Sequence, residues 1–228
     1  MTGRVEIFSA GDFARAAAEA AAPLLPASGR VVITGGGTAE TLYPELARTR
    51  PDWSGVEVFF SDERCVPPDD PESNYGMAKR TLLDAVRPGR VHRMEGEIDP
   101  TDAAAIYEGA VSAAGGFDLV LLGLGDDAHV AGLFPESPGL LETASCVVVD
   151  RPDGLRGLSL TPPALVSGGT VVFVVTGAAK AEAVARALSG DEDVMSCPAA
   201  IFRDHGSVVW LLDEEAAPGH TVAGGDDA

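Results

Sequence analysis

Lysine is almost missing from this chain. Lys79 and Lys180 are the two lysines among 16 basic residues, set against 35 acidic ones. The formal charge of −19, with a pI near 4.4, leaves no sign of the basic stripe that neutralises a phosphate backbone, so nucleic acid is not the expected partner. Cysteine is scarce too. Cys65, Cys146 and Cys197 are far apart and odd in number, and no CxxC occurs. That argues against a zinc knuckle and a disulfide framework, and is read as three free thiols in a reducing compartment. No uninterrupted apolar run approaches the roughly 20 residues that span a bilayer. The opening MTGRVEIFSA lacks the apolar core of a signal peptide. The expectation is a soluble, cytoplasmic protein with no membrane partner.

What is present is a regular alternation. The 228 residues suit one α/β domain or two small ones. Short apolar, β-branched runs at 5–8, 31–34, 56–60, 119–124, 146–149, 169–176 and 208–212 predict strands. Alanine-rich stretches at 13–25, 39–48, 74–86, 103–113 and 179–188 predict helices. Several of the strands are apolar on both faces, which suits a parallel sheet covered on both sides. The expected fold class is therefore α/β: a doubly wound, mostly parallel sheet with helices on both faces, Rossmann-like. No repeat and no long linker divides the chain. Residues 1–217 are expected to form a single domain, and 218–228 a flexible tail. Pro44 conflicts locally with the helix at 39–48, because it removes a backbone donor; that helix is expected to start late or kink.

Four stretches can carry chemistry. VVITGGGTAETL (31–42) runs from a strand through Gly35, Gly36 and Gly37 to Thr38 and a helix. Glycines let the backbone approach a ligand, and a helix N-terminus offers N–H groups to a phosphate. Thr38 is a candidate cap or hydroxyl donor. The stretch matches neither a dinucleotide fingerprint nor a P-loop, so alone it is equally a plain strand-to-helix turn. FFSDERCVPPDDPESNYGMA (59–78) places Asp62, Glu63 and Arg64 directly after a strand, where open α/β sheets bind ligands. Arg64 could offer a fork to a phosphate or carboxylate. FDLVLLGLGDDAHVAGLFP (117–135) puts His129 just past a third strand, with Asp126 and Asp127 near enough to orient its ring. TVVFVVTGAAKAEAV (170–184) sets Lys180 in the first turn of a helix, against the helix dipole, a small penalty that a bound phosphate would offset. Asp127 and His129 are two potential metal ligands without a third. Cys65 has no histidine near it in sequence to make it a nucleophile.

Taken in order, TGGGT (34–38), SDERCVPPDDPESNYGMA (61–78), LLGLGDDAHVAGLFP (121–135), LSLTPPAL (158–165), VTGAAKAEAV (175–184) and PAAIFRDHGSVVWLLDEEAA (198–217) resemble the 6-phosphogluconolactonase family, over most of the chain. That family lies in a superfamily of sugar-phosphate isomerase type, with the glucosamine-6-phosphate deaminases. The deaminases carry Asp-Glu-Tyr where this chain has Asp62-Glu63-Arg64, which favours the lactonases.

The resemblance implies hydrolysis of 6-phospho-D-glucono-1,5-lactone without a metal or cofactor, in the pentose phosphate pathway. It implies His129 as general base and Asp127 as its partner. It implies a substrate-binding set of Gly35, Gly36, Gly37, Thr38, Asp62, Arg64 and Lys180. The partner expected is a small phosphosugar lactone, and the state a monomer or weak dimer. Three departures stand out. Ala128 replaces the glycine of Asp-Gly-His, Gly37 and Ala39 replace serine and proline of the glycine loop, and Gly132 stands where serine is common. The alternatives are an amino sugar phosphate isomerase or deaminase, and a phosphosugar-binding protein without turnover.

Overall fold

The computed structural model describes residues 3–217 and Gly219; the tail expected at 218–228 otherwise lies outside the described residues. The strands are β1 (Arg4–Phe8), β2 (Gly29–Ile33), β3 (Val56–Phe60), β4 (Asp62–Arg64), β5 (Arg90–Val91), β6 (Phe117–Leu122), β7 (Cys146–Asp150), β8 (Arg156–Leu160), β9 (Gly168–Val175) and β10 (Val208–Asp213). The helices are α1 (Phe13–Ala21), α2 (Gly37–Thr49), α3 (Asn74–Ala78), α4 (Asp84–Val86), α5 (Pro100–Ala114), α6 (Pro162–Leu165) and α7 (Ala181–Ser189). Seven strands form a parallel sheet in the order β1-β10-β9-β6-β2-β3-β5. Successive residues of its central strands bury opposite faces. Val32, Val120, Leu122, Phe173 and Trp210 pack with Tyr107 and Val111 of α5 and Val184 of α7. Val31, Ile33, Leu121, Val172 and Leu211 pack with Phe13 of α1 and Leu42 and Leu46 of α2. The strands thus read as near-continuous apolar runs because water reaches neither face.

The strand predicted at 146–149 exists, but as β7 of a separate antiparallel sheet, β4-β8-β7. The helix expected at 13–25 ends at Ala21, where Pro23 and Pro26 leave only a short 3-10 turn. The stretch 74–86 is interrupted by a π turn over Lys79–Leu83. Around Pro44 the expected late start does not occur. α2 begins earlier, at Gly37, because Gly36 takes φ 92° and turns the chain straight into the helix; Pro44 then sits inside it, and the burial of Leu42, Tyr43 and Leu46 offsets the missing hydrogen bond.

The two edges of the parallel sheet differ. β5 is two residues long, whereas β1 runs for five with Val5 41% and Ile7 50% exposed. No helix among the described residues is long and apolar enough to cross a membrane.

Candidate active site

The exits of β2, β3, β6 and β9 open into one cavity of about 360 Å³. Gly35, Gly36, Gly37, Thr38, Asp62, Arg64, His129 and Lys180 all line it. Four stretches up to about 146 residues apart in sequence therefore meet because each leaves the same end of one parallel sheet.

The glycine turn is built for close approach. A Cβ at Gly35 would stand 1.8 Å from Asn74 Oδ1, so only glycine lets Asn74 seat there. Gly36, not Thr38, is the residue before the helix; Thr38 lies inside the first turn, where the N–H groups lack intrahelical partners. A Cβ at Gly37 would meet nothing within 4 Å, so glycine in place of the serine that the resemblance implies removes a hydroxyl and no packing.

The loop after β3 is organised by a buried anion. Glu63 Oε1 accepts hydrogen bonds from the N–H groups of Arg64 (2.8 Å) and Asn74 (2.7 Å), and Oε2 from Tyr75 N–H (2.8 Å) and Ser73 Oγ (3.0 Å). Burial pushes this carboxyl up, and the three backbone N–H groups pull it back. The clamp delivers Asn74, which donates to Asp62 O (2.9 Å) and Oδ2 (3.1 Å) and accepts from Arg64 Nη1 (2.9 Å). Arg64 Nη1 also donates to Glu72 O, while its buried Nε has no partner among the described residues.

The histidine is held by its own turn. His129 Nδ1 lies 2.7 Å from Asp127 Oδ1, which also accepts the His129 backbone N–H at 2.9 Å. Burial works to raise the Asp127 carboxyl, but these hydrogen bonds win and hold it below the usual carboxylate value. An ionised Asp127 can only accept, so Nδ1 carries the proton and Nε2 is left as the basic nitrogen. The turn is closed by backbone bonds from Ala128 N to Gly125 O and Gly125 N to His129 O. A Cβ at Gly125 would lie 2.0 Å from Nδ1, so glycine is required for the ring to fold back. Ala128, with φ 70°, is in the left-handed region and fully buried. Asp127 itself does not line the cavity, and Asp126 is exposed. Phe134 packs on the His129 ring at 4.4 Å between centroids, and the Arg151 guanidinium stands 5.4 Å from the centre of Phe134.

Lys180 closes a 3-10 turn, Ala178–Lys180, and immediately precedes α7 rather than lying in its first turn. Cys65 does not line the cavity, and burial pushes its thiol up, the wrong direction for a nucleophile. Among the described residues no cluster of three or more metal-ligating side chains is found. At Gly132, where the resemblance implies serine, a Cβ would be 3.0 Å from Ser159 Cβ, so Ser159, whose Oγ accepts the Gly132 N–H, would have to give by a few tenths of an ångström.

Asn74 and Arg151 are among the lining residues not singled out from the sequence. Asn74 is a polar residue at the start of α3 whose only signal was its place in SNY; Arg151 follows β7 and gave no local signal, although it brings a third cation to the cavity.

A family model described as glucosamine-6-phosphate isomerases/6-phosphogluconolactonase matches residues 9–210. The chain is 39% identical to a 6-phosphogluconolactonase of Mycobacterium tuberculosis, over 95% of this chain and 98% of that protein. It is 37% identical to one of Synechocystis, over 82% and 83%. A crystal structure of a 6-phosphogluconolactonase from Thermotoga maritima superposes with a TM-score of 0.84 at 25% identity, covering 93% of this chain and all of that one. The chain belongs to the glucosamine-6-phosphate isomerase/6-phosphogluconolactonase family.

Proposed function

We propose that this protein hydrolyses 6-phospho-D-glucono-1,5-lactone to 6-phospho-D-gluconate in the oxidative pentose phosphate pathway, with residues 1–217 acting as one cytoplasmic catalytic unit. The observation that carries the reading is His129, paired at 2.7 Å with Asp127 behind it, on the wall of a cavity that also holds a glycine turn, Arg64 and Lys180. The identities to 6-phosphogluconolactonases support the choice of substrate.

The phosphate sits against Gly35–Thr38 and the start of α2, with Arg64 and Lys180 supplying charge. This anchoring sets the lactone carbonyl beside His129 and makes the attack of water a positioned event. Nε2 takes a proton from water as the oxygen adds to C1. Asp127 holds the ring and stabilises the imidazolium. When the tetrahedral intermediate collapses, the same proton passes to the departing ring oxygen, so the acid forms and the histidine returns to neutral. The scheme requires no residue from a second copy, and the proposed state is a monomer or weak dimer.

The test is the hydrolysis rate, followed by oxidation of the product with 6-phosphogluconate dehydrogenase after subtraction of spontaneous ring opening. His129→Ala is expected to lose about 10²–10⁴-fold in kcat with an unchanged circular dichroism spectrum. A wild type no faster than background rejects the lactonase reading, and ammonia release from an amino sugar phosphate would put a deaminase in its place.

A further inference from the structure

Asp213, the last residue of β10, is 2% exposed, and among the described residues the hydrogen-bond partners of its carboxylate are all uncharged donors. Thr176 Oγ1 donates to Oδ2. The Gly177 N–H reaches both oxygens, at 2.9 and 3.1 Å, and the Ala216 N–H reaches Oδ1 at 2.7 Å. A buried carboxylate satisfied only by neutral groups carries a desolvation penalty that an apolar residue would not. Its partners explain the choice. Thr176 and Gly177 form the turn that leaves β9, Gly177 takes φ 95°, and the Gly177 carbonyl accepts the Lys180 N–H at 3.0 Å. Two hydrogen bonds therefore connect the Asp213 carboxylate to the backbone of Lys180. No other type of side chain of this size offers acceptors alone in several directions.

We propose that Asp213 is a positioning residue for substrate binding: it fixes the β9 exit turn so that Lys180 meets the phosphate. The inference rests on the reading that Lys180 binds the phosphate. Asp213 touches neither cavity nor substrate, so its effect belongs in KM and vanishes when Lys180 has no amine to place.

The experiment measures kcat, KM and thermal midpoint for Asp213→Asn and Thr176→Val, each alone and combined with Lys180→Ala. Asparagine keeps the shape but turns an N–H2 toward a donor. Asp213→Asn is expected to raise KM about 10-fold, the worth of one charge-assisted hydrogen bond, with kcat within about 3-fold. On the Lys180→Ala background the same change is expected to raise KM less than about 2-fold, because the two act through one contact. A folded Asp213→Asn with wild-type KM overturns the proposal, as does an equal KM penalty on both backgrounds. If Asp213→Asn does not fold, Thr176→Val decides in the same terms, with an expected rise of about 3-fold. A Lys180→Ala protein with unchanged KM instead defeats the phosphate role of Lys180, and this inference with it, while a wild type at the background rate defeats the lactonase reading as a whole.

Discussion

At the scale of single residues, the turn from Gly125 to His129 shows how little room the chemistry has. Gly125 is required by a near-contact with the histidine ring, yet Ala128 occupies a left-handed conformation that glycine adopts freely. The left-handed region costs alanine about 1–2 kcal/mol. The buried methyl returns about 0.8 kcal/mol, and the reduced freedom of the unfolded chain about 0.4–1. These gains offset much of the strain at a position where the resemblance to the lactonases implies glycine. Asp127 is a different matter, because it sets which ring nitrogen is basic. Asp127→Ala is expected to lower kcat about 10–100-fold with KM little changed, as measured in the same coupled assay. Its stability effect has a sign fixed by the depressed carboxyl. The contribution of the pair is complete above the titration of an unfolded aspartate and disappears as pH falls through the lower folded value. The difference in urea midpoint between wild type and Asp127→Ala should therefore begin to shrink as pH falls below about 4 and keep shrinking on further acidification; a difference that stays constant down the acid range would show that Asp127 acts by packing.

At the scale of elements, the loop between β4 and α3 is held by the single carboxylate of Glu63. Glu63→Gln keeps one acceptor and turns an N–H2 toward two donors. It should lower unfolding stability by about 2–4 kcal/mol, read from denaturant midpoints at constant m-value, and raise KM because Asn74 and Arg64 shift together. This loop also marks the limit of what the sequence reveals. β2, β6, β9 and β10 are legible because they are apolar on both faces, and the residues after β2, β3, β6 and β9 were legible as site candidates because an abrupt polar residue after such a run sits at a sheet edge. β4 is Asp-Glu-Arg and becomes a strand only by pairing with β8, Arg-Gly-Leu-Ser-Leu, which sets Asp62 opposite Ser159, 97 positions away, a separation no local pattern encodes. Asn74 and Arg151 reach the cavity through that second sheet and its clamp, so no local pattern announced them.

At the scale of the molecule, an enzyme of charge −19 is proposed to take an anionic substrate, and the arrangement of its few cations resolves the conflict. One of its two lysines and two arginines, Arg64 and Arg151, line a single cavity in which Asp62 is the one acidic lining residue among those described. Field lines from the cavity act at short range and the net charge at long range, so the first is felt only on entry. The same negative surface guards the open flank of β1. That strand presents backbone donors and acceptors with Val5 and Ile7 beside them, bracketed by Arg4 and Glu6. Near pH 4.4, where the formal charges balance, light scattering should rise steeply relative to pH 7, and Val5→Lys with Ile7→Lys should suppress it; equal scattering by the variant would clear the strand. Carboxylates remote from catalysis thus govern colloidal behaviour, setting how crowded a solution the enzyme can occupy before its molecules begin to template one another.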